Sequence, residues 1–129
     1  TVGCFGGMSI AAGLCSYLVV TKEARLGLNG PQVIEQEAGI TEYDSKDKPF
    51  IWSMTGGEIR YETGFADELA VDDVDAVRTA IAKCFAQGSP ESFRTDRVGF
   101  YLPRLAGFDA SQQVFPEITK ALFSQGDRK

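Results

Sequence analysis

The chain has 129 residues, with 13 Lys and Arg against 18 Asp and Glu, a net charge of −5 and 43% hydrophobic content. That length suits one domain burying about two thirds of its unfolded surface, and the composition excludes a disordered or fibrous chain. The acidic balance, with a pI of about 4.7, argues against a polyanion-binding surface, so nucleic acid is not an expected partner.

Histidine is absent, which removes Ser-His-Asp and Cys-His catalysis and nearly all zinc-hydrolase ligand sets, and no metal is expected. The cysteines, Cys4, Cys15 and Cys84, are odd in number and lack C-x-x-C spacing. They read as reduced, buried thiols of a cytoplasmic protein.

In chain order, Thr1 to Thr21 comes first; it carries no charged side chain and contains Gly3, Gly6, Gly7 and Gly13. Such a run is either a membrane span or a buried active-site loop. It is long enough to cross about 30 Å of hydrocarbon. Against a span, each glycine weakens a helix by about 1 kcal/mol, and Tyr17-Leu18-Val19-Val20-Thr21 reads as a short buried strand. The sequence predicts a Gly-Gly turn, a small-residue helix from about Met8 to Ser16, then the strand, with no membrane insertion. The run opens without an initiator Met or a secretory signal, which suggests a segment of a longer protein.

Lys22 to Arg25 is a polar turn and Leu26-Gly27-Leu28 a brief apolar stretch. Pro31 predicts a helix start after Asn29-Gly30, because its φ is preset and it has no N–H to leave unsatisfied; Gly39 is the stop. Thr41 to Lys48 is charged, turn-rich and exposed. Phe50-Ile51-Trp52 restores apolar character, Thr55-Gly56-Gly57-Glu58 starts another helix, and Gly64 ends it. Phe65 to Val71 is extended. Asp72 is a good N-cap for a helix whose Val74, Val77, Ile81 and Phe85 recur at three- and four-residue spacing.

Gly88-Ser89-Pro90 closes that helix, and a unit over residues 1–88. In the tail over residues 89–129, Pro103 and Pro116 act as breaks between scattered aromatics. The tail is expected to pack on the core or on a partner subunit, since aromatic and arginine residues are enriched at interface cores.

Gly6-Gly7-Met8-Ser9-Ile10-Ala11-Ala12, followed by Ala24-Arg25-Leu26-Gly27-Leu28-Asn29-Gly30-Pro31-Gln32-Val33-Ile34-Glu35-Gln36, resembles the carboxyltransferase branch of the crotonase-like superfamily. Cys4-Phe5-Gly6-Gly7 through Tyr17, together with Glu37-Ala38-Gly39-Ile40-Thr41-Glu42-Tyr43-Asp44, is more narrowly similar to malonate decarboxylase beta subunits. Residues 1 to 85 carry the resemblance. It implies an α/β fold, the C-terminal half of a ββα superhelix, with an aromatic-rich C-terminal tail.

It also implies decarboxylation of a malonyl thioester on an acyl carrier protein, beside a gamma subunit. The chain would bind no cofactor, the phosphopantetheine arm of the carrier, or CoA, bringing the substrate. The Gly-Pro-x-Val-Ile-Glu-Gln string is shared with carboxyltransferase beta subunits of biotin-dependent acyl-CoA carboxylases, which remain an alternative, as does a non-catalytic scaffold subunit.

Decarboxylation of a malonyl thioester builds charge on the thioester oxygen, and two backbone N–H donors suffice to stabilise it; losing one costs about 3 to 4 kcal/mol in barrier. Gly6, Gly7 and Met8 are the candidate oxyanion hole, with a plain tight turn as the bland alternative. Glu35 is either a proton donor or acyl-orienting group, or a carboxylate favoured in a first helical turn. Gln36 is either a pocket hydrogen-bonder or an exposed residue, and Asn29 either a cap or a substrate contact. Ser9 has no histidine to activate it and is read as packing. Arg94, Arg97 and Arg104 are candidate contacts for an acidic carrier protein or for phosphates, with a solvated surface as the alternative.

Overall fold

The computed structural model describes residues 3–109, 111–113 and 115–123. The elements in order are β1 (Gly3–Cys4), α1 (Gly7–Gly13), β2 (Val19–Thr21), β3 (Arg25–Leu26), α2 (Pro31–Ala38), α3 (Lys48–Thr55), α4 (Gly57–Glu62), β4 (Glu68–Ala70), α5 (Val74–Gln87), α6 (Val98–Leu105) and α7 (Pro116–Phe123), with a short 3-10 turn at Arg94–Asp96 before α6. Two parallel strand pairs organise them: β1 with β3, setting Gly3 opposite Arg25, and β2 with β4, setting Val20 opposite Leu69. Parallel neighbours require a crossover, and helices supply it in both cases.

The core is built on α3 and α4, with α4 and α5 both packed on β2 and β4. Ile51, Thr55, Ile59 and Thr63 are all buried, a four-residue period that runs unbroken through the extended Gly56 between the two helices. The threonines can be buried because each hydroxyl donates to the carbonyl one turn back, Thr55 to Ile51 at 2.8 Å and Thr63 to Ile59. Gly57 lets α4 start against β2: a Cβ there would sit 1.9 Å from the Thr21 carbonyl oxygen.

Several expectations change. Of the uncharged opening run only Val20 is buried among the described residues: α1 buries no residue, and Met8, Ile10 and Leu14 are more than half exposed. Helix α3 begins at Lys48, inside the segment read as a turn, because Asp47 caps it by accepting from the Phe50 amide at 3.1 Å. Tyr43, in the same segment, is buried against Phe50. Asp73, not Asp72, caps α5, accepting from the Asp75 and Ala76 amides at 3.0 Å.

Most of the apolar stripe of α5 also faces outward, with Val77 half-buried. Val74 is 74% and Phe85 81% exposed, while the small residues Ala80 and Cys84 are buried, because only they allow the helix close to the strands. Pro103 lies inside α6 rather than ending it; in so short a helix it removes a single intrahelical bond.

Beyond Gly88 the chain returns to the core. Phe65 stacks on Tyr101 at 5.4 Å and meets Phe123 at 5.1 Å, and Phe123 is buried. Among the described residues no helix is long and apolar enough to cross a membrane.

Candidate active site

The β1–β3 pair carries the Gly-Gly turn. Gly27 N–H donates to the Cys4 carbonyl at 3.2 Å, and one step further Gly6 N–H donates to the Leu28 carbonyl at 2.7 Å. Gly6 has φ 66° and ψ −145°, a conformation reserved for glycine, and it turns the chain directly from strand into α1. The Gly6 carbonyl accepts from both the Ser9 amide at 3.0 Å and the Ser9 hydroxyl at 2.7 Å. Ser9 therefore locks the turn, as a packing residue would.

These bonds correct one candidate: the Gly6 amide is committed to Leu28 and cannot meet a developing oxyanion. The Gly7 and Met8 amides are different. They open α1, no side chain caps it, and they take no acceptor among the described residues. Both residues are exposed. Two adjacent N–H groups at the positive end of a helix thus stand open.

No family model matches the chain. A Pseudomonas malonate decarboxylase hetero-tetramer in complex with malonate matches it with a TM-score of 0.88 and 59% identity, over 95% of this chain and 45% of that one. The chain is thus similar to part of a malonate decarboxylase chain. A Pseudomonas malonate decarboxylase MdcD-MdcE hetero-dimer gives a TM-score of 0.68 at 58% identity, over 82% of this chain and 42% of that one. The malonyl-S-ACP:biotin-protein carboxyltransferase MADC of Malonomonas rubra is 36% identical over 98 residues, 76% of this chain and 31% of that protein. The chain spans less than half the length of each of these relatives.

The other candidates separate in the structure. Asn29 follows Leu28, whose carbonyl holds Gly6, and stays beside the mouth of α1; it is exposed and does not cap α2, whose N-cap is Gly30. Glu35 lies past the first turn of α2 and is engaged elsewhere, accepting from the Ser45 amide at 2.7 Å. Ser45, through its side chain and its amide, holds the Glu35 carboxyl below the usual carboxylate range. A carboxyl so held is a poor proton donor. Gln36 is exposed on α2.

Of the three arginines, Arg94 is not a surface residue. Its relative exposure is 8%, and its guanidinium donates to the Cys15 carbonyl, the Phe65 carbonyl and the Asp67 carboxylate. Burial and three acceptors remove it from any carrier contact. Arg104 folds back over Phe100, 3.7 Å from the ring centroid, and donates to the Phe100 carbonyl at 2.8 Å. Arg97, at the N-cap of α6, is half-exposed and makes no ion pair among the described residues. The tripartite basic patch thus reduces to one residue.

Sequence reading missed a second basic group. Arg25 lies over Trp52 at 4.5 Å, and Arg60 donates to the Leu26 carbonyl at 2.9 Å. Both flank the buried Tyr43 hydroxyl, whose pKa burial pushes up against their opposing charge. An aromatic and a cation with no local spacing pattern left no signal to find. A groove of about 480 Å³ is lined by Tyr17, Ile81, Cys84 and Phe85 among others. It contains none of the candidate site residues.

Proposed function

We propose that the chain is part of a malonate decarboxylase beta subunit, with a crotonase-like ββα superhelix, working in a heteromeric complex. The substrate is a malonyl thioester on the phosphopantetheine arm of an acyl carrier protein subunit, and a gamma subunit shares the pocket. The bond to the carboxylate carbon breaks, its electron pair moves into the thioester carbonyl, CO2 leaves, and the enolate oxygen carries the charge. Protonation at the α-carbon then gives the acetyl thioester.

One observation carries this reading: Gly7 and Met8 present two adjacent, unengaged N–H groups at the start of α1. Such donors stabilise the enolate without histidine. Gly6 contributes the turn, and Asn29 stands near enough in sequence to Leu28 to line the same mouth. Glu35 positions the turn at Ser45 rather than donating a proton. Of the arginines, Arg97 is left to meet the acidic carrier; Arg97→Glu weakens carrier binding more at low salt than at high salt, and unchanged affinity removes that contact.

A second reading has its own support, because one relative is a malonyl-S-ACP:biotin-protein carboxyltransferase. The same enolate then forms while the carboxyl group passes to biotin. Release of CO2 from malonyl carrier protein by the intact complex, with and without avidin, separates the two. Avidin-insensitive release supports the first reading; release that avidin abolishes supports the second; a complex inert in both leaves only a scaffold.

A further inference from the structure

Helix α1 poses a physical question that its packing does not answer. It is seven residues long and buries none of them, so no side chain wedged into the core sets its direction. Its two ends do. At the first, Gly6 bonds to Leu28 and Ser9 to Gly6. At the second, the Leu14 amide reaches the Ile10 and Ala11 carbonyls and the Cys15 amide reaches the Ala12 carbonyl, tightening the last turn. The Cys15 carbonyl then accepts from Arg94 Nε at 2.9 Å.

Arg94 is anchored in turn. Its Nη1 donates to the Phe65 carbonyl at 2.8 Å and its Nη2 pairs with the Asp67 carboxylate. The same carboxylate oxygen accepts from the Leu18 amide at 2.7 Å, and the Asp67 amide donates to the Leu18 carbonyl at 2.8 Å. The link from Cys15 to Leu18 is thereby gripped at both its ends, against the segment that leads into β4. A planar guanidinium fork reaches three acceptors in three directions at once, which a lysine ammonium on its flexible stem does not reproduce. Its positive charge also suits the C-terminal end of a helix.

We infer that Arg94 is a positioning residue for the decarboxylation: by holding Cys15 it fixes the far end of α1, and so the aim of the Gly7 and Met8 amides. This inference rests on the function proposed above. Seven residues span about 10 Å, so a small tilt at Cys15 displaces the amides at the opposite end, where an error of about 1 Å can cost about a hundredfold in rate.

The test uses the intact decarboxylase complex containing this subunit, with Arg94→Lys, Arg94→Ala and, as a control for stability alone, Ile51→Val. Rates are taken per folded complex, and hydrogen exchange is followed at the amides of residues 10–15 and of α5. For Arg94→Lys, kcat is expected to fall about ten- to a hundredfold with KM nearly constant, and the α1 amides to exchange faster while those of α5 are unchanged. Added guanidinium partly restores kcat to Arg94→Ala.

A merely structural Arg94 behaves like Ile51→Val, with a lower thermal midpoint, full kcat per folded complex and uniform exchange; that result overturns the inference. If the wild-type complex releases no CO2, the functional reading falls instead, and the exchange arm alone decides whether Arg94 holds α1.

Discussion

Helices α1 and α3 are nearly equal in length, seven and eight residues, and both carry large apolar side chains. Yet α3 places Ile51 at 1% exposure in the core, whereas α1 leaves Met8 at 69% and Ile10 at 54%. Helix α3 is held by burial, with a side-chain cap at Asp47 and a glycine junction to α4. Helix α1 is held by hydrogen bonds at its ends, and its first two amides are left open. On the proposed function, the contrast separates a helix that stabilises the fold from one whose mouth would present chemistry: burial is cohesive but consumes surface, while end-pinning leaves a helix mouth accessible.

The largest expected effect that sharpens this contrast is on stability. Ile51→Ala should cost about 2 to 5 kcal/mol, the transfer term plus a cavity, and lower the thermal midpoint by roughly 10 °C. Ile10→Ala in α1 should stay within about 1 kcal/mol, since Ile10 is 54% exposed. Thermal unfolding of both variants checks the pair, and equal losses would mean that α1 is packed after all.

Next comes the turn. Gly6→Ala meets no steric obstacle, as no atom lies within 4 Å of the added Cβ, so its whole cost is backbone strain of about 1 to 3 kcal/mol. Because that strain sits at the α1 mouth, decarboxylation should fall by more than the loss of folded protein explains. Denaturant unfolding alongside rates per folded complex reads both quantities; loss of stability with an intact rate would detach the turn from the chemistry.

The smallest effect concerns pH. Ser45 lowers the Glu35 pKa on folding, so the stabilisation is complete above the usual carboxylate range and disappears as the pH falls through it to the folded value. Glu35→Gln should therefore flatten the acid limb of the stability curve while leaving decarboxylation near neutral pH unchanged. Parallel curves for the two proteins would show that the Ser45 contact contributes nothing.

What was legible in the sequence follows the range of the interactions. The Pro31 helix ending at Gly39 and the helix opening at Gly7 are written in adjacent residues, since Pro at a helix start and glycine at a turn act locally. Asp72 and Asp73 are equally good caps by type, and only the backbone decides that Asp73 accepts from α5. The α5 stripe misled because helical period identifies one face without saying which face meets the strands; the close approach of β2 and β4 selected Ala80 and Cys84.

Arg94 was unreadable for a further reason. Its partners Cys15, Phe65 and Asp67 lie 79, 29 and 27 residues away in the chain, and no spacing rule spans such separations. The Glu35 contact was unreadable for the same kind of reason, because Ser45 reaches it across the turn that follows α2.

The most direct test of the proposed enolate site is Gly7→Pro in the intact complex. Proline at the first position of a helix is well tolerated and deletes one N–H while keeping the fold. The rate of CO2 release from a malonyl thioester should drop by about a hundred- to a thousandfold, with the thermal midpoint within a few degrees of wild type. A folded Gly7→Pro complex that turns over at the wild-type rate would contradict the assignment of the α1 amides to the chemistry.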